Sequence, residues 1–240
     1  MTELEIVDTI KQIKKEIARN KNEGRFLIEH LARKALNAPE DQKDDIVKFF
    51  IKEIRFNDYD LWDVALGSLE EMNASETAQD IFSIYCEISE NRNVDWKRKV
   101  VETLLRLQYK APKYFYSSYI TEYAEKNDSG YAYYLLVLYC HVDSEYGLPL
   151  LAEYYVNSME GNDENRKNFL DNRIDFLVAI FVKNYRDNFL KLIDLISLKN
   201  KEVGRHLKTI LLGYLSRDIS KLHRNELTTK VIDDLLALEI

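Results

Sequence analysis

Residues 62–69, WDVALGSL, and residues 96–104, WKRKVVETL, follow one pattern: a tryptophan opens each stretch, and apolar residues then recur at helical spacing. The second tryptophan comes 34 residues after the first, and Tyr131 opens a third such stretch after another 35 residues. A period of about 30–47 residues made of two helices is typical of helical repeats. The pattern therefore predicts helices that return along the chain at a regular interval.

Breaker residues divide the rest of the chain into further helices. A first amphipathic helix is predicted over 3–19, and residues 20–24 should end it. Pro39, Pro112 and Pro149 are each expected in the first turn of a helix, where the missing N–H group costs nothing. The first members of the predicted pairs are 24–37, 60–72, 95–109, 130–142, 171–184 and 201–216. The second members are 39–56, 75–90, 112–126, 147–159, 186–199 and 224–238.

The composition supports a helical fold. The 240 residues include only 7 Gly and 3 Pro, and all-β folds consume both residue types in their many turns. A sandwich or barrel is therefore excluded, and a doubly wound α/β fold is disfavoured. We predict an all-α chain that forms a single domain over 1–240, with a capping helix at 1–20 and stacked pairs over 22–238.

The chain resembles the HEAT-like repeat family in Trp62-Asp63-Val64-Ala65-Leu66 and Trp96-Lys97-Arg98-Lys99-Val100-Val101. The resemblance covers about 24–216, although the family's usual Pro, Asp and Arg positions are not all present. It implies a right-handed α-solenoid of about six antiparallel helical pairs behind an N-terminal capping helix. A less regular helical bundle is the alternative.

The charge balance and the targeting patterns of the sequence limit the classes of partner that we expect. With 34 basic and 41 acidic residues the net charge is −7, which disfavours nucleic acid as a partner. The N-terminus lacks a signal-peptide pattern, and the longest apolar run, residues 131–140, is too short to span a membrane. Cys86 and Cys140 are too few for a disulfide framework. We expect a cytoplasmic protein that contacts no membrane, with a monomer favoured.

The chain lacks catalytic motifs. There is no glycine-rich phosphate loop, no nucleophile elbow, and no cysteine or histidine pair at metal-ligand spacing. Cys140 and His141 are adjacent, so on a helix their side chains diverge. We therefore predict no enzyme activity, no cofactor and no metal.

Two acidic clusters are candidate magnesium ligands. Asp41, Asp44 and Asp45 form one cluster, and Asp233 and Asp234 form the other. The first cluster follows Pro39, where carboxylates stabilise the start of a helix. This structural interpretation is favoured over a metal site.

The resemblance also implies a second function class, because some HEAT-like proteins are alkyl-base DNA glycosylases with Trp and Asp in a basic groove. Trp62-Asp63 and Asp95-Trp96 look like such pairs, but the acidic balance argues against this function. One cluster of basic residues is the best candidate for a phosphate-binding patch. The favoured interpretation of this cluster is a solvated helix face. Its members are Arg92, Lys97, Arg98, Lys99, Arg106 and Lys110.

Residues 111–165 differ from the rest of the chain. They hold nine acidic and two basic residues, together with 11 of the 16 tyrosines. Tyrosine is enriched at protein interfaces, and acidic charge accelerates encounter with a basic partner. About half of these tyrosines, notably Tyr134 and Tyr139, are expected in the core. If Tyr116, Tyr119 and Tyr123 form a core face, Tyr114 and nearby acids become the exposed candidates.

The sequence thus favours a non-enzymatic module that binds a basic protein. The concrete hypothesis is an immunity or inhibitor protein that neutralises a basic toxin such as a nuclease, by similarity in class to bacterial immunity proteins. A HEAT-like DNA-binding or glycosylase-like protein and a scaffold or regulatory solenoid are the alternatives. The predicted contact residues are Tyr114, Tyr116, Glu122, Glu125, Asp128, Asp143, Glu145, Tyr146 and Glu153.

Overall fold

The computed structural model is helical wherever it describes regular structure. It describes residues 3–17, 19–36, 39–56, 61–126, 129–161, 167–168, 170–171, 173–174, 177, 186–218 and 226–238. Within these residues there are twelve complete α-helices, two short 3₁₀ turns and no strand. The prediction of an all-α chain is confirmed.

The helices fall into two compact units, residues 1–111 (unit 1) and residues 112–240 (unit 2). The boundary lies inside the third predicted pair, and the single domain over 1–240 stays a prediction. Unit 1 contains α1 (Glu3–Ile17), α2 (Lys21–Ala35), α3 (Glu40–Phe56), α4 (Trp62–Glu71), α5 (Ala78–Ile88) and α6 (Val94–Arg106). Unit 2 contains α7 (Phe115–Lys126), α8 (Ser129–Val142), α9 (Ser144–Glu160), α10 (Arg186–Lys199), α11 (Lys201–Asp218) and α12 (Glu226–Ala237).

Unit 1 packs its helices in two rows. Helices α2, α4 and α6 contact one another in order, and so do α1, α3 and α5. The two rows are joined by four pairs of helices that are consecutive in sequence, namely α1–α2, α2–α3, α3–α4 and α5–α6. The largest side chain in its core is Trp96, which is 1% exposed. The 34-residue spacing therefore corresponds to helices that return to the same row.

Unit 2 is built around α8. Helix α8 contacts both α7 and α9. Helix α9 also contacts α10, which in turn contacts α11. Ala132, Leu135, Val137 and Cys140 are all completely buried, although they point in different directions around the helix. The run at 131–140, apolar on all sides, is thus part of a helix that is buried from several directions.

Two glycines allow close helix approach in unit 2. A Cβ atom on Gly147 would lie 2.8 Å from the Cα atom of Cys140, so the start of α9 passes directly over the backbone of α8. A Cβ atom on Gly204 would lie 2.9 Å from the Cα atom of Ser197. Only a residue without a side chain permits such contacts.

Several predicted helix ends were wrong, because polar caps and tertiary packing set the actual ends. Gly24 lies within α2, which begins at Lys21 because the Asn20 side chain accepts a hydrogen bond from the Asn22 N–H group at 3.1 Å. Pro149 lies inside α9 rather than in its first turn, since Asp143 caps that helix further upstream. Pro112 precedes α7 by three residues.

Other expectations for helix positions stand differently. Pro39 immediately precedes α3, and its carbonyl accepts a hydrogen bond from the Lys43 N–H group at 3.1 Å, so this proline opens the helix as predicted. The predicted helix at 171–184 lies largely outside the described residues. Among the described helices, none combines the length and the apolar character needed to cross a bilayer.

Candidate functional site

The predicted contact residues of unit 2 are carried mainly by α7 and α9. Tyr114, just before α7, meets Tyr146 in the first turn of α9. Further along, residues 120–125 of α7 and residues 150–157 of α9 line one cavity together. The two helices therefore run in the same direction, and α8 contributes the surface between them.

An aromatic pair and a cation lie together where α7 and α9 begin, and we call this group the tyrosine end (Lys113, Tyr114 and Tyr146). Tyr114 is exposed and Tyr146 is half-buried. The two rings meet edge to face with centroids 6.2 Å apart. The Lys113 Nζ atom lies 4.8 Å from the Tyr114 ring centroid and 5.3 Å from that of Tyr146, within cation–π range. Hydrogen bonding to Tyr114, and then to Tyr146, raises the pKa of Lys113.

The backbone at the tyrosine end is strained. Tyr114 has a φ of 71°, in the left-handed region that residues other than glycine rarely occupy, and its side chain is 56% exposed. A strained conformation that presents an apolar ring to solvent is more typical of binding sites than of scaffold positions. Tyr114, one of the predicted contact residues, therefore presents its ring to solvent.

A cavity of about 410 Å³ lies between α7 and α9, and we call it the acidic groove. Apolar side chains form much of its lining, and two exposed carboxylates stand on opposite walls. Its lining consists of Ile120, Thr121, Ala124, Glu125, Leu136, Leu150, Glu153, Tyr154 and Asn157. Glu125 and Glu153, which the sequence marked individually, are thus brought together in one groove. The Glu153 carboxylate also pairs with Lys199 of α10 at 3.3 Å.

Sequence reasoning missed the other polar residues of this groove. On α9, Leu150, Glu153, Tyr154 and Asn157 follow one another at i, i+3, i+4 and i+7, so they share one face of the helix. That spacing was visible in the sequence and could have added Tyr154 and Asn157 to Glu153. No comparable signal pointed to Lys199, because its place beside Glu153 depends on how α10 packs.

The remaining predicted acids have simpler positions. Glu122 is exposed and pairs with Lys126 at 2.7 Å, and Glu145 is exposed in the first turn of α9. The Asp143 side chain caps α9 by accepting a hydrogen bond from the Tyr146 N–H group at 3.4 Å, which gives it a structural role. Asp128 lies outside the described residues.

Tyr116 departs from the predicted surface. Its side chain is 3% exposed and packs against Tyr139 of α8, with ring centroids 5.3 Å apart. The face that carries Tyr116, Tyr119 and Tyr123 turns towards α8, where area burial outweighs the preference of the hydroxyl for water. Tyr116 is therefore a core residue and is removed from the candidate site, as the alternative for this face implied.

About half of the tyrosines in the segment are buried, in agreement with expectation. The buried ones are Tyr116, Tyr123, Tyr133, Tyr139 and Tyr155. Tyr139 is buried as predicted, whereas Tyr134 is half-buried. Burial, and next the Asp143 carboxylate, raises the pKa of Tyr139 to about 12. This phenol is therefore neutral at physiological pH.

Cys140 and His141 are neutral for the same reason. Complete burial raises the pKa of the Cys140 thiol well above its ordinary value, and burial lowers the pKa of His141 to about 4. Because the thiolate is the reactive form of cysteine, this pair has no activated nucleophile.

In unit 1, three of the six residues of the basic cluster pair with nearby acids. Lys99 pairs with Glu70 at 2.9 Å, and Arg106 pairs with Glu102 at 2.9 Å. Arg98 lies 3.6 Å from Asp95. Cations already matched by carboxylates release few counterions on meeting phosphate, so these three residues would contribute little to a nucleic-acid patch.

The residues that suggested a glycosylase are engaged in packing. Trp96 is buried and stacks on Tyr85 at a centroid distance of 6.0 Å, so its indole is out of reach of a base. Both oxygens of Asp63 accept hydrogen bonds from Arg25, at 3.1 and 2.7 Å. Within the part of the chain that the structure describes, no three His, Cys, Asp or Glu residues cluster as metal ligands.

Comparisons with protein-family models, with curated proteins and with solved structures give no match for this chain.

Proposed function

We propose that the chain is a non-enzymatic protein-binding module whose acidic surface in unit 2 binds a basic protein. The most concrete form of the proposal is a cytoplasmic immunity or inhibitor protein that neutralises a basic toxin such as a nuclease. The HEAT-like resemblance adds the architecture, a right-handed solenoid of about six helical pairs. The two rows of helices in unit 1 support this architecture, because stacked repeats place equivalent helices side by side.

The observation that carries the proposal is the grouping of exposed carboxylates on α7 and α9 with the tyrosine end, where Tyr114 is exposed and Tyr146 half-buried. Glu122, Glu125, Glu145 and Glu153 are all exposed. The tyrosine end supplies the rigid aromatic area that protein interfaces favour. Carboxylates arranged in this way accelerate association with a basic partner, and the effect falls with added salt.

The test removes charge from this surface and from a matched surface in unit 1. One variant changes Glu122, Glu125, Glu145 and Glu153 to glutamine. The control changes the exposed Glu23, Glu76, Asp80 and Glu90 to their amides, which alters the net charge equally. Immobilised wild-type chain is first used to retain a basic protein. The rate at which this protein associates with the wild type, the unit 2 variant and the control is then measured at low and high salt.

We expect the unit 2 variant to associate more slowly by about tenfold or more at low salt, and the control to stay within about twofold of wild type. The difference should shrink at high salt. Equal losses in both variants would show that net charge alone matters and would contradict the proposed surface. Salt-dependent binding of duplex DNA instead of a basic protein would favour the nucleic-acid alternative.

A further inference from the structure

The acidic groove differs from the rest of the acidic surface because its charges border apolar side chains. Ile120 of α7, Leu136 of α8 and Leu150 of α9 meet there from three helices. Ala124 and Thr121 are small, so the wall formed by α7 leaves space open above this apolar lining. Carboxylates can be solvated on a surface without a recess, whereas a recess with an apolar lining fits an inserted side chain.

The dimensions of the groove limit what it can hold. At 1.5 Å per residue, the lining segment of α7 is about 8 Å long and that of α9 about 10 Å long. A volume of about 410 Å³ is at the lower end of the range for ligand sites, about 300–1,000 Å³. The groove therefore has room for two or three side chains and is too short for a whole helix.

The charges of the groove select a cation. Glu125 and Glu153 stand on opposite walls, so an inserted group meets negative charge from two directions. The Lys199 ammonium, 3.3 Å from Glu153, already places one cation of the chain itself at this edge. Both members of that pair are well exposed, with 40% and 58% of their side chains accessible, so an incoming cation can compete with Lys199 for Glu153.

We propose that the acidic groove receives one arginine side chain of the basic partner together with an adjacent apolar side chain. The inference rests on the proposed function and specifies the partner's contacting segment. The aliphatic stem of arginine packs on apolar surface, and its planar guanidinium donates hydrogen bonds to carboxylates on both sides. The Asn157 side-chain oxygen supplies a further acceptor on the α9 wall.

The test uses the full chain and capped tripeptides, so it does not depend on the identity of the partner. The probes are acetyl-Leu-Arg-Leu-amide and the same peptide with citrulline, which has the shape of arginine without its charge. NMR spectra of the isotope-labelled chain report which backbone amides respond. We expect saturable shifts at Thr121, Ala124, Leu150 and Asn157, with the arginine peptide binding about tenfold more tightly than the citrulline peptide.

Three variants and a matched control sharpen the test. Glu125→Gln and Glu153→Gln should each weaken binding of the arginine peptide about threefold to tenfold. The matched control, Glu76→Gln in unit 1, is also at an exposed position, is not part of the groove lining, and should leave the affinity unchanged. Lys199→Gln removes the internal competitor and should strengthen binding by up to about fivefold. All variants change exposed positions, and circular dichroism confirms that each one is folded.

Equal affinity for the arginine and citrulline peptides, shifts outside the groove, or insensitivity to Glu125→Gln and Glu153→Gln would overturn the inference. Failure here is distinguishable from failure of the proposed function. If the groove ignores arginine while the four-carboxylate variant still loses the basic partner, the acidic surface stands and only the groove is wrong. If the groove binds arginine but no basic protein is retained, the groove stands and the proposed function fails.

Discussion

Units 1 and 2 connect their helices with different side chains. In unit 1, ion pairs link three of the four pairs of neighbouring helices within the rows. These pairs are Arg25–Asp63 between α2 and α4, Glu70–Lys99 between α4 and α6, and Arg55–Glu87 between α3 and α5. In unit 2, tyrosine rings provide many of the links. They are Tyr116–Tyr139 and Tyr123–Tyr131 between α7 and α8, and Tyr133–Tyr154 between α8 and α9.

The difference explains why the two units present different surfaces. Carboxylates that hold neighbouring helices in unit 1 are neutralised by the cations they contact. Because tyrosines take over that role on α7, α8 and α9, exposed carboxylates such as Glu125 and Glu145 need not hold the fold there. The Glu153–Lys199 pair between α9 and α10 is an exposed exception. The tyrosines of unit 2 therefore link its helices in the core, while Tyr114 is exposed at the surface.

The largest expected effect tests whether apolar burial dominates stability in both units. Trp96→Ala in unit 1 and Tyr155→Ala in unit 2 each remove an aromatic side chain that is 1% exposed. Each should lower the free energy of unfolding by about 3–5 kcal/mol, measured by urea denaturation. Trp62→Ala, at a half-buried tryptophan, is the control and should cost less. If Trp96→Ala lowered the unfolding free energy by less than the ion-pair variant Glu70→Gln, charges would dominate the stability of unit 1.

The next effect concerns the close helix approach in unit 2. Gly147→Ala places a Cβ atom 2.8 Å from the backbone of Cys140 and should lower stability by about 1–3 kcal/mol, measured by urea denaturation. Gly213→Ala is the control, because a Cβ atom there meets nothing within 4 Å. This control should gain up to about 1 kcal/mol, since alanine favours the helix more than glycine does. A stabilised Gly147→Ala variant would contradict the tight crossing of α8 and α9.

A smaller effect tests the ion pairs of unit 1. The Glu70 carboxylate accepts hydrogen bonds from Lys99 at 2.9 Å and from Thr103 at 2.5 Å, and it is only 15% exposed. Glu70→Gln should cost about 1–2 kcal/mol, and less in 1 M salt. Glu122→Gln breaks an exposed pair in unit 2 and should cost less than about 0.5 kcal/mol. Equal costs for the two variants would remove the contrast between the units.

The smallest effect is an acid sensitivity that His141 gives to unit 2. Burial lowers the pKa of His141 from its ordinary 6.5 to about 4, so below pH 6.5 the unfolded chain binds a proton that the folded chain does not. Stability from this residue is therefore complete above pH 6.5 and lost as the pH falls towards 4. The loss should be on the order of 1 kcal/mol, since the ring is only partly buried and solvent screens it.

The measurement is the difference in unfolding free energy between wild type and His141→Gln at pH 7, 5.5 and 4.5. The unfolding free energy of the wild type should fall relative to that of His141→Gln as the pH falls. The reason is that the unfolded wild type gains a proton at His141, whereas the glutamine has no proton to gain. A difference that stays constant over this range would contradict the neutral, buried state of His141.

The sequence by itself determined the helical class and much of the core. Scarce glycine and proline and a 3.6-residue apolar period are local properties, and they act through backbone propensity whatever the neighbours are. The burial of residues 131–140 from several directions followed in the same way, because a helix that is apolar all round has no side to give to water. The charge asymmetry of residues 111–165 was equally visible in the sequence.

Only the tertiary structure decided which members of a pattern face inward. Tyr114 and Tyr116 are two residues apart, yet Tyr116 packs on Tyr139 while Tyr114 is exposed beside Tyr146. Glu125 and Glu153 stand on facing walls because α7 and α9 run in the same direction around α8, a relation that no local spacing encodes. Local propensity fixes the state of the backbone, whereas the side that is buried depends on the surface a neighbouring helix offers.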